Sequence, residues 1–387
     1  MSGAARRQPL PRLDRLVREI EAAIASGDRA LQSAVLVRSA DALTRRWSRL
    51  AIEDKAPFDR LLAGLLGQVD EEARITFAER LTPLRRAPRL TASVLARDAS
   101  IRVAGPLLAA CPSFDEAWLL EIIATVADGH RCAVARRAVV GALLSDALVG
   151  FGRPDVAATL LANPAAPISA RSMPALMRMA GTSEAVALAL GARTDLAAAV
   201  RAGLVDLARE RAHASLVRGA FAETASRTLL TDVARAVATP IAPERAARFA
   251  GTAAIVDAVF GPGPIASARI ERWVEGRRIE DVLTVLARDA GMPWPYMVAC
   301  YDTPEPTALA VMLRGLDHPW SVLKALLGAR HAGSPSPGVL GDAHRLHADL
   351  SVTSARRLAR YATARLGRSA FMAPSAERPE TRAPELP

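Results

Sequence analysis

The sequence predicts an all-α protein, an α-solenoid of short helix pairs followed by a C-terminal helical region. Of the 387 residues 51% are hydrophobic, but aromatic residues make up only 4%. Ala, Leu and Val carry the apolar content, and this mixture favours helix over strand. Short apolar segments end repeatedly at Pro, Gly or Asn and recur every ~25 to 30 residues, a spacing typical of stacked helix pairs.

The first predicted element is an amphipathic helix in a segment that we assign to residues 1–40. Its apolar residues recur at steps of three and four residues: Leu13, Leu16, Val17, Ile20 and Ile24. This periodicity is that of one helix face. The pattern stops at Ser26, Gly27 and Asp28, which predicts the end of the helix there.

Residues 41–240 form the predicted repeat domain. Four stretches share one form, a short helix that ends at a breaker: Asp70–Leu81, Ile101–Pro112, Asp155–Pro164 and Glu184–Gly191. A serine after the second and the third stretch, Ser113 and either Ser169 or Ser172, predicts the N-cap of a longer helix. The predicted unit is therefore helix, turn, helix, and each pair buries its apolar face against the next pair.

Five stretches between residues 40 and 200 carry a family resemblance: Leu43–Leu50 with Phe58–Leu62, Ala78–Leu81 with Pro88, Ala104–Pro112, Asp115–Ile122 and Ala158–Pro164. They resemble the bacterial family known as domain of unknown function 2336, which is described by HEAT-like helical repeats. The resemblance implies a HEAT-like α-solenoid and no catalytic residue. Between Gly129 and Arg153 the rhythm is compressed, which predicts one degenerate repeat.

Residues 241–330 form a predicted aromatic-rich C-terminal helical domain. Two Pro-Trp pairs, Pro293-Trp294 and Pro319-Trp320, each precede an apolar helix. Pro suits the first turn of a helix and a neighbouring aromatic ring can fix the entry of the chain, so we interpret both tryptophans as packing anchors. If this region docks a partner instead, the predicted contact residues are Trp273, Trp294, Tyr296 and Trp320.

The stretch Val285–Cys300 has the Ala and Gly placement of a helix-turn-helix. Its second helix offers Trp294, Pro295, Tyr296, Met297, Val298 and Ala299. Base edges are read by polar side chains such as Arg, Gln and Asn. We therefore interpret the stretch as an αα-hairpin that packs or docks a partner.

Residues 331–387 are predicted to hold a linker, a basic helix and a disordered tail. Gly328–Gly341 is rich in Gly, Pro and Ser, the helix spans Ser354–Leu366, and the tail is Pro374–Pro387. Within Arg356–Arg368, arginines alternate with Leu358, Tyr361 and Leu366. This pattern predicts a weak contact with anionic membrane surfaces.

The net charge of +10 comes almost entirely from arginine, since Lys55 and Lys324 are the only lysines. The arginines are spread along the chain beside acidic residues, which is typical of solvated charge. The alternative is a phosphate-binding face, because a basic surface releases counterions when it binds phosphate. The arginine pairs predicted for such a face are Arg85, Arg86, Arg136 and Arg137.

No motif in the sequence indicates an enzyme. The Walker-type loop and the GxSxG, HExxH and CxxC patterns are absent. The cysteines Cys111, Cys132 and Cys300 lie far apart and are interpreted as core residues. We therefore predict no catalytic residue and no cofactor.

Histidines offer only weak metal candidates. His344 and His347, with Asp342 and Asp349, could share a helical face, but they follow the predicted linker. The other candidates, His130 and His213, lie beside arginines and indicate helix ends. We predict no metal site.

The chain is predicted to be cytoplasmic and to have no membrane span. Its longest apolar stretches, Val103–Cys111 and Trp118–Ala127, are much shorter than the ~20 residues that cross a bilayer. The first residues do not have the pattern of a secretory signal.

The sequence thus predicts a non-enzymatic helical-repeat scaffold or adaptor that binds a protein partner. The alternative is a HEAT-like protein that binds nucleic acid through a basic face. The two differ in salt dependence, because binding to phosphates weakens steeply as salt is added.

Overall fold

The computed structural model describes residues 11–47, 52–250, 252, 264–330 and 335–365. These residues contain 22 α-helices, and no strand occurs among them. The all-α prediction is confirmed, and the packing of successive helices is compatible with a solenoid-like arrangement. Within the same ranges no helix combines the length and the hydropathy that a membrane crossing requires.

The chain divides into two compact units, Met1–Leu190 and Gly191–Pro387. The division falls after Leu190, where the sequence pattern predicts no boundary. The helices of the first unit are α1 (Pro11–Ser26), α2 (Arg29–Arg46), α3 (Ile52–Leu66), α4 (Glu71–Leu81), α5 (Arg89–Ala96), α6 (Ile101–Ala110), α7 (Glu116–Thr125), α8 (Asp128–Ala135), α9 (Ala142–Gly150), α10 (Pro154–Leu161), α11 (Met173–Thr182) and α12 (Glu184–Gly191).

The helices of the first unit form two layers. Within a layer, a helix packs on the helix two positions earlier in the chain. The even-numbered layer runs from α2 through α4, α6 and α8 to α10. On the odd-numbered side α1 packs on α3 and α3 on α5, while α7 packs on α9 and α9 on α11. Each helix therefore buries its apolar face against helices that are close in the sequence.

The breaker pattern locates several helix ends correctly. Helix α1 ends at Ser26, and Gly27 follows with φ +67°, a conformation that glycine adopts without steric cost. The apolar stripe of α1 is buried at Ile20 and Ala23. Helices α4, α6 and α12 lie within three of the four stretches predicted from the sequence, and α10 begins one residue before the fourth.

Ser113 does not have its predicted role as an N-cap. Helix α7 is capped by Asp115, whose side chain accepts a hydrogen bond from the Trp118 N–H at 2.8 Å. The Ser113 hydroxyl donates to the Leu84 carbonyl and accepts from the Ala87 N–H, both at 2.7 Å. The serine therefore joins two successive turns of the stack, because its hydroxyl can donate and accept at once.

Ser172 does lie at the N-cap position of α11, but its side chain bonds elsewhere. The hydroxyls of Ser169 and Ser172 donate to Asp146 of α9, at 2.6 and 2.5 Å. These two bonds stabilise the carboxylate and lower the pKa of Asp146.

Carboxylates on one odd-numbered helix also cap the next odd-numbered one. Asp59 of α3 accepts hydrogen bonds from the N–H groups of Leu90 and Thr91 in α5, each at 2.8 Å. Glu116 of α7 accepts one from the Leu144 N–H of α9, at 3.0 Å. A negative charge stabilises the unpaired N–H groups and the dipole of a helix start. These bonds therefore tie the odd-numbered helices to one another.

The turns after the even-numbered helices are joined in a similar way. Arg137, after α8, donates to the carbonyls of Leu108 and Cys111 at the end of α6, at 2.7 and 2.9 Å. Asn163, after α10, donates to the carbonyls of Ala135 and Arg137, at 2.9 and 2.7 Å. Each polar side chain thus satisfies carbonyls left free at the end of the preceding even-numbered helix.

The helices of the second unit are α13 (Ala198–Arg218), α14 (Glu223–Val237), α15 (Pro243–Ala250), α16 (Ser267–Glu275), α17 (Ile279–Asp289), α18 (Trp294–Asp302), α19 (Thr307–Gly315), α20 (Trp320–Gly328), α21 (Pro337–Asp349) and α22 (Val352–Ala364). Helix α22 packs against α13, α14 and α19. Ser354, near its start, is hydrogen-bonded to Ser215 of α13. Helices α13 and α14, which the sequence pattern groups with the repeats, share a core with the C-terminal helices.

The packing of α22 does not fit the predicted membrane contact through Arg356–Arg368. Leu358 and Tyr361 belong to the core of the second unit. Arg356 donates to the Gly315 carbonyl at 2.8 Å, and Arg357 to the Ser215 hydroxyl at 3.2 Å. The apolar side of the helix is thus covered by protein, although a lipid surface would require it to be free. Leu366 and Arg368 lie outside the described residues.

The predicted linker Gly328–Gly341 is partly helical, because α21 begins at Pro337. Ser336 caps this helix by accepting a hydrogen bond from the Val339 N–H, and Pro suits the first turn. Residues 331–334 and the predicted tail Pro374–Pro387 lie outside the described ranges.

Candidate functional site

Two pairs of large apolar side chains are exposed on the odd-numbered side of the first unit. Leu90 and Val94 of α5 are 45% and 41% exposed. Val139, just before α9, and Leu143, in its first turn, are 81% and 68% exposed. We call these four residues the α5–α9 surface. Single exposed apolar residues are ordinary, but neighbouring ones typically mark interaction sites.

Helix α7 lies between the two pairs and fixes their spacing. The Trp118 indole donates to the Ser93 hydroxyl of α5 at 3.1 Å. On the other side Glu116 caps α9 at Leu144. Ala117, between Glu116 and Trp118, is exposed. The two apolar pairs are therefore separated by one helix with a small exposed residue in its first turn.

The exposed residues at α9 belong to two apolar doublets, Val139-Val140 and Leu143-Leu144. Val140 and Leu144 are buried in the core, whereas Val139 and Leu143 face solvent. No motif in the sequence marks this surface. The signal that the sequence does contain is two apolar rows of four-residue spacing, Val139 with Leu143 and Val140 with Leu144. One buried helix face requires only one such row.

The structure separates the roles of the four arginines proposed for a phosphate face. Arg137 is partly buried and bonded to the end of α6, as described above, and burial lowers the pKa of its guanidinium. Arg85, Arg86 and Arg136 are exposed, and the ion pairs found in the described part of the chain do not include them. Arg137 therefore has a structural role, and three of the four side chains are available to a partner.

The three exposed arginines lie along one edge of the first unit. Ser113 bonds the turn that contains Arg85 and Arg86, and the neighbouring Cys111 carbonyl binds Arg137. We call Arg85, Arg86 and Arg136 the arginine edge. Its turns precede α5 and α9, so it is close in the chain to both apolar pairs.

The four aromatic residues proposed as partner contacts are partly buried and pack against the core of the second unit. The Trp294 ring stacks on Phe249 with centroids 5.0 Å apart. Trp320 meets His344 edge-on at 4.9 Å, and the Arg278 guanidinium lies 4.8 Å from the Trp273 ring. These contacts agree with the interpretation of Trp294 and Trp320 as packing anchors.

The predicted αα-hairpin is formed by α17 and α18, which pack on each other. Gly291, in the turn, has φ +61°, and the Met292 N–H bonds the Ala287 carbonyl at 2.9 Å. This geometry is that of a helix end closed by glycine. Met297 and Val298 of α18 are buried, and Tyr296 packs against the same core. The second helix of the hairpin is therefore mainly a packing element.

Among the described residues, His, Cys, Asp and Glu side chains do not form a group of three or more that could hold a metal ion. Burial raises the pKa of the Cys300 thiol to about 12, so this group stays protonated at neutral pH. His344 contacts Trp320, while His347 bonds the His318 carbonyl at 3.0 Å. Neither of the other predicted histidines is at a helix C-terminus, since His130 lies near the start of α8 and His213 within α13.

Comparison with known proteins gives one match. A sequence model of the family described as "Uncharacterised protein conserved in bacteria (DUF2336)" matches residues 103–377, which is more than half of the chain. No curated protein matches the chain, and no solved structure matches it. The matched range begins in α6 and covers all described helices of the second unit. It includes three of the five stretches that carry the resemblance, whereas the two before residue 103 lie outside it. The chain therefore belongs to DUF2336, a family of uncharacterised bacterial proteins.

Proposed function

We propose that the protein is a non-enzymatic helical scaffold or adaptor that binds a protein partner through the α5–α9 surface. The exposure of Val139 and Leu143, at 81% and 68%, supports this proposal most directly. Burying a Val or Leu side chain contributes about 1.5–3 kcal/mol. A few such residues can therefore supply much of the free energy of a protein interface.

The charge beside this surface indicates the chemistry of the partner. The arginine edge carries three exposed guanidinium groups close to the apolar residues. Opposite charges around an apolar contact increase the association rate and fix the orientation of the partner. We infer that the partner segment combines large apolar side chains with Asp or Glu.

The HEAT-like repeat and the cytoplasmic location are parts of the same proposal. From α3 to α11, hydrogen bonds between neighbouring helix pairs join residues 23 to 32 positions apart, with Ser169 to Asp146 at one limit and Thr91 to Asp59 at the other. Such a regular offset supports a repeated helix pair. Subcellular fractionation tests the location, and recovery with the membrane fraction in high salt would contradict it.

The second candidate is nucleic-acid binding along the arginine edge. The exposure of Arg85, Arg86 and Arg136 favours it. If each neutralises one phosphate, the logarithm of the affinity falls with the logarithm of salt concentration with a slope of about −2.7. A slope near zero for a 20-base-pair duplex, or no binding at low salt, excludes this candidate.

Photocrosslinking in cells tests the protein-binding proposal. The photoreactive amino acid p-benzoylphenylalanine replaces Leu143 in one full-length variant and Leu31 in the matched control. Leu31 is also exposed but lies on α2, away from the α5–α9 surface. We expect a discrete adduct with one protein from position 143, resistant to nuclease, and none from position 31. Equal adducts from both positions, or adducts removed by nuclease, would contradict the proposal.

A matched pair of variants then measures the contribution of the apolar side chains. Val139→Ser with Leu143→Ser should weaken binding of the crosslinked protein at least tenfold, which corresponds to about 1.4 kcal/mol. Leu31→Ser with Ile101→Ser replaces two other exposed apolar residues and should leave the affinity unchanged. Equal losses in both variants would show that the effect is not specific to the α5–α9 surface.

A further inference from the structure

The second unit contains a groove of about 620 Å³ between α14 and α21. Leu229 and Asp232 of α14 line one wall, Val339, Asp342 and Leu346 of α21 line the other, and Glu305 lies with the turn before α19. The volume is within the range of ligand-binding clefts, about 300–1,000 Å³. The groove is separate from the α5–α9 surface, which belongs to the other unit.

The charge in this groove is opposite to that of the chain as a whole. Three carboxylates, those of Asp232, Glu305 and Asp342, line it, and no arginine or lysine does, although the net charge is +10. Asp232 pairs with Arg235 at 3.4 Å, Asp342 pairs with Arg345, and Glu305 interacts electrostatically with Arg330. These arginines do not line the groove. The side chains that face the groove are therefore carboxylates, and their arginine neighbours lie outside it.

The floor of the groove is apolar. Leu229 and Ala343 belong to the hydrophobic core, and Phe221 and Leu346 pack against it. Val339 is exposed at 37% and adds an apolar side chain to the wall formed by α21. A ligand that fits this surface combines apolar side chains with cationic groups, because apolar area and carboxylates are both present.

We infer that the groove docks a short amphipathic helix of another protein, with Arg or Lys beside large apolar side chains. The part of α14 that lines the groove, from Thr224 to Asp232, is about 12 Å long at 1.5 Å per residue, or about two helical turns. Two apolar anchors four residues apart fit this length, as in other helix-in-groove complexes. Cationic side chains next to them can reach the carboxylates. The chain then has two docking sites of opposite charge, one on each unit.

Selection from a peptide library tests the inference on the full-length protein. A phage library of random 16-residue peptides is panned on the wild-type chain and depleted on a groove variant with Asp232→Asn, Glu305→Gln and Asp342→Asn. We expect enriched peptides to carry Arg or Lys and two large apolar residues four positions apart. Enrichment of acidic or uncharged peptides, or no enrichment, would overturn the inference.

The enriched peptide is then synthesised with a fluorescent label and its binding is measured by anisotropy. Its affinity should fall at least tenfold on the groove variant and severalfold on Val339→Ser. A control variant with Asp206→Asn, Glu210→Gln and Glu275→Gln removes three other exposed carboxylates of the second unit and should bind as the wild type does. Circular dichroism establishes that each variant is folded. Equal losses in the groove and control variants would exclude the groove as the site.

Two further measurements identify other occupants. A dimer of the wild type in sedimentation that is lost in the groove variant would show that a second copy occupies the groove. A tenfold gain in peptide affinity on replacing Arg368, Phe371 and Met372 by Ser would show competition by this chain's own residues. Either result overturns the inference of a separate partner. Val139→Ser with Leu143→Ser should not affect peptide binding, so failure of the α5–α9 proposal is distinguishable from failure here.

Discussion

The carboxylate of Glu116 occupies the space that a Cβ atom at residue 141 would need. Gly141 is the N-cap of α9 and has an ordinary extended conformation, with φ −76° and ψ 163°. Glycine here leaves room for the Glu116 carboxylate, and a left-handed backbone is not involved. The missing side chain lets Glu116 approach the Leu144 N–H and cap a helix that begins 26 residues after α7 does.

Gly141→Ala should lower the free energy of unfolding by about 1–3 kcal/mol, because the new methyl group displaces Glu116 and the cap is lost. Gly150→Ala on the same helix is the control, since a Cβ there meets nothing within 4 Å. It should be neutral or stabilising by up to about 1 kcal/mol. Urea denaturation followed by circular dichroism measures both variants. Similar values for the two would show that Glu116 moves aside at no cost.

Arg137→Met should destabilise the first unit, because it removes the two hydrogen bonds to Leu108 and Cys111. Hydrogen bonds from a charged donor contribute about 1.5–3 kcal/mol. Arg136→Met should change stability by less than about 0.5 kcal/mol, because the Arg136 side chain is exposed. Chemical denaturation of the two neighbouring variants provides a direct comparison. If Arg136→Met proved the more destabilising, the assigned roles would be reversed.

The ion pairs of Arg245 predict an unequal response to removal of either partner. The Arg245 guanidinium donates to both Asp302 oxygens at 3.2 Å and to Glu280 at 3.3 Å. Its side chain is 10% exposed, against 40% for Asp302. Asp302→Ala leaves a buried cation with one partner and should cost about 1–3 kcal/mol. Arg245→Met should cost less, because the carboxylates remain in contact with water. Thermal and urea unfolding measure the difference, and the opposite order would show that the packing of the Arg245 stem dominates.

His347 predicts a pH dependence of stability near neutrality. Burial lowers the pKa of His347 from its ordinary value of 6.5, so the folded protein favours the neutral ring. Below pH 6.5 the unfolded chain binds a proton that the folded chain does not bind until a lower pH is reached. The stability contributed by the neutral His347 ring is therefore complete above pH 6.5 and is lost as the pH falls toward the pKa of His347 in the folded protein.

The free energy of unfolding of the wild type should decrease between pH 7 and pH 5, and His347→Gln should reduce this slope. His344→Gln removes a neighbouring charge that also lowers the pKa of His347, so it should reduce the slope as well, but by less than His347→Gln does. Urea titrations at several pH values measure how the free energy of unfolding of each variant changes with pH. Identical slopes for wild type and His347→Gln would show that this histidine does not couple folding to pH.

Local signals in the sequence predict much of the fold. Gly27 ends α1, and the ends of α6 and α10 lie next to predicted breakers, because a turn residue acts on its own segment. Contacts between helix pairs are not encoded in this local way. Ser113 has the composition of an N-cap, but its hydroxyl bonds a turn 29 residues earlier, at Leu84. Such a role depends on how the pairs stack.

The candidate surface illustrates the same limit. The doublets Val139-Val140 and Leu143-Leu144 look equivalent in sequence, yet one member of each is buried and the other exposed. Which member of each doublet is buried depends on the position of α7 beside the doublets. Arg137 was grouped with Arg85 for its charge, but the carbonyls of α6 that bind it are adjacent only after folding. The acidic groove likewise joins α14 with residues more than 70 positions later.

The bond between Ser215 and Ser354 spans 139 residues, whereas those that join the helix pairs of the first unit span about 30. During synthesis on the ribosome the first unit can therefore assemble pair by pair behind the growing end. The second unit must wait, because α22 fills its core and is translated last among its described helices. Until residue 364 has left the exit tunnel, the parts of α13, α14 and α19 that pack on α22 remain uncovered. Nascent chains that stall in this interval are the form of the protein most exposed to aggregation and most in need of a chaperone.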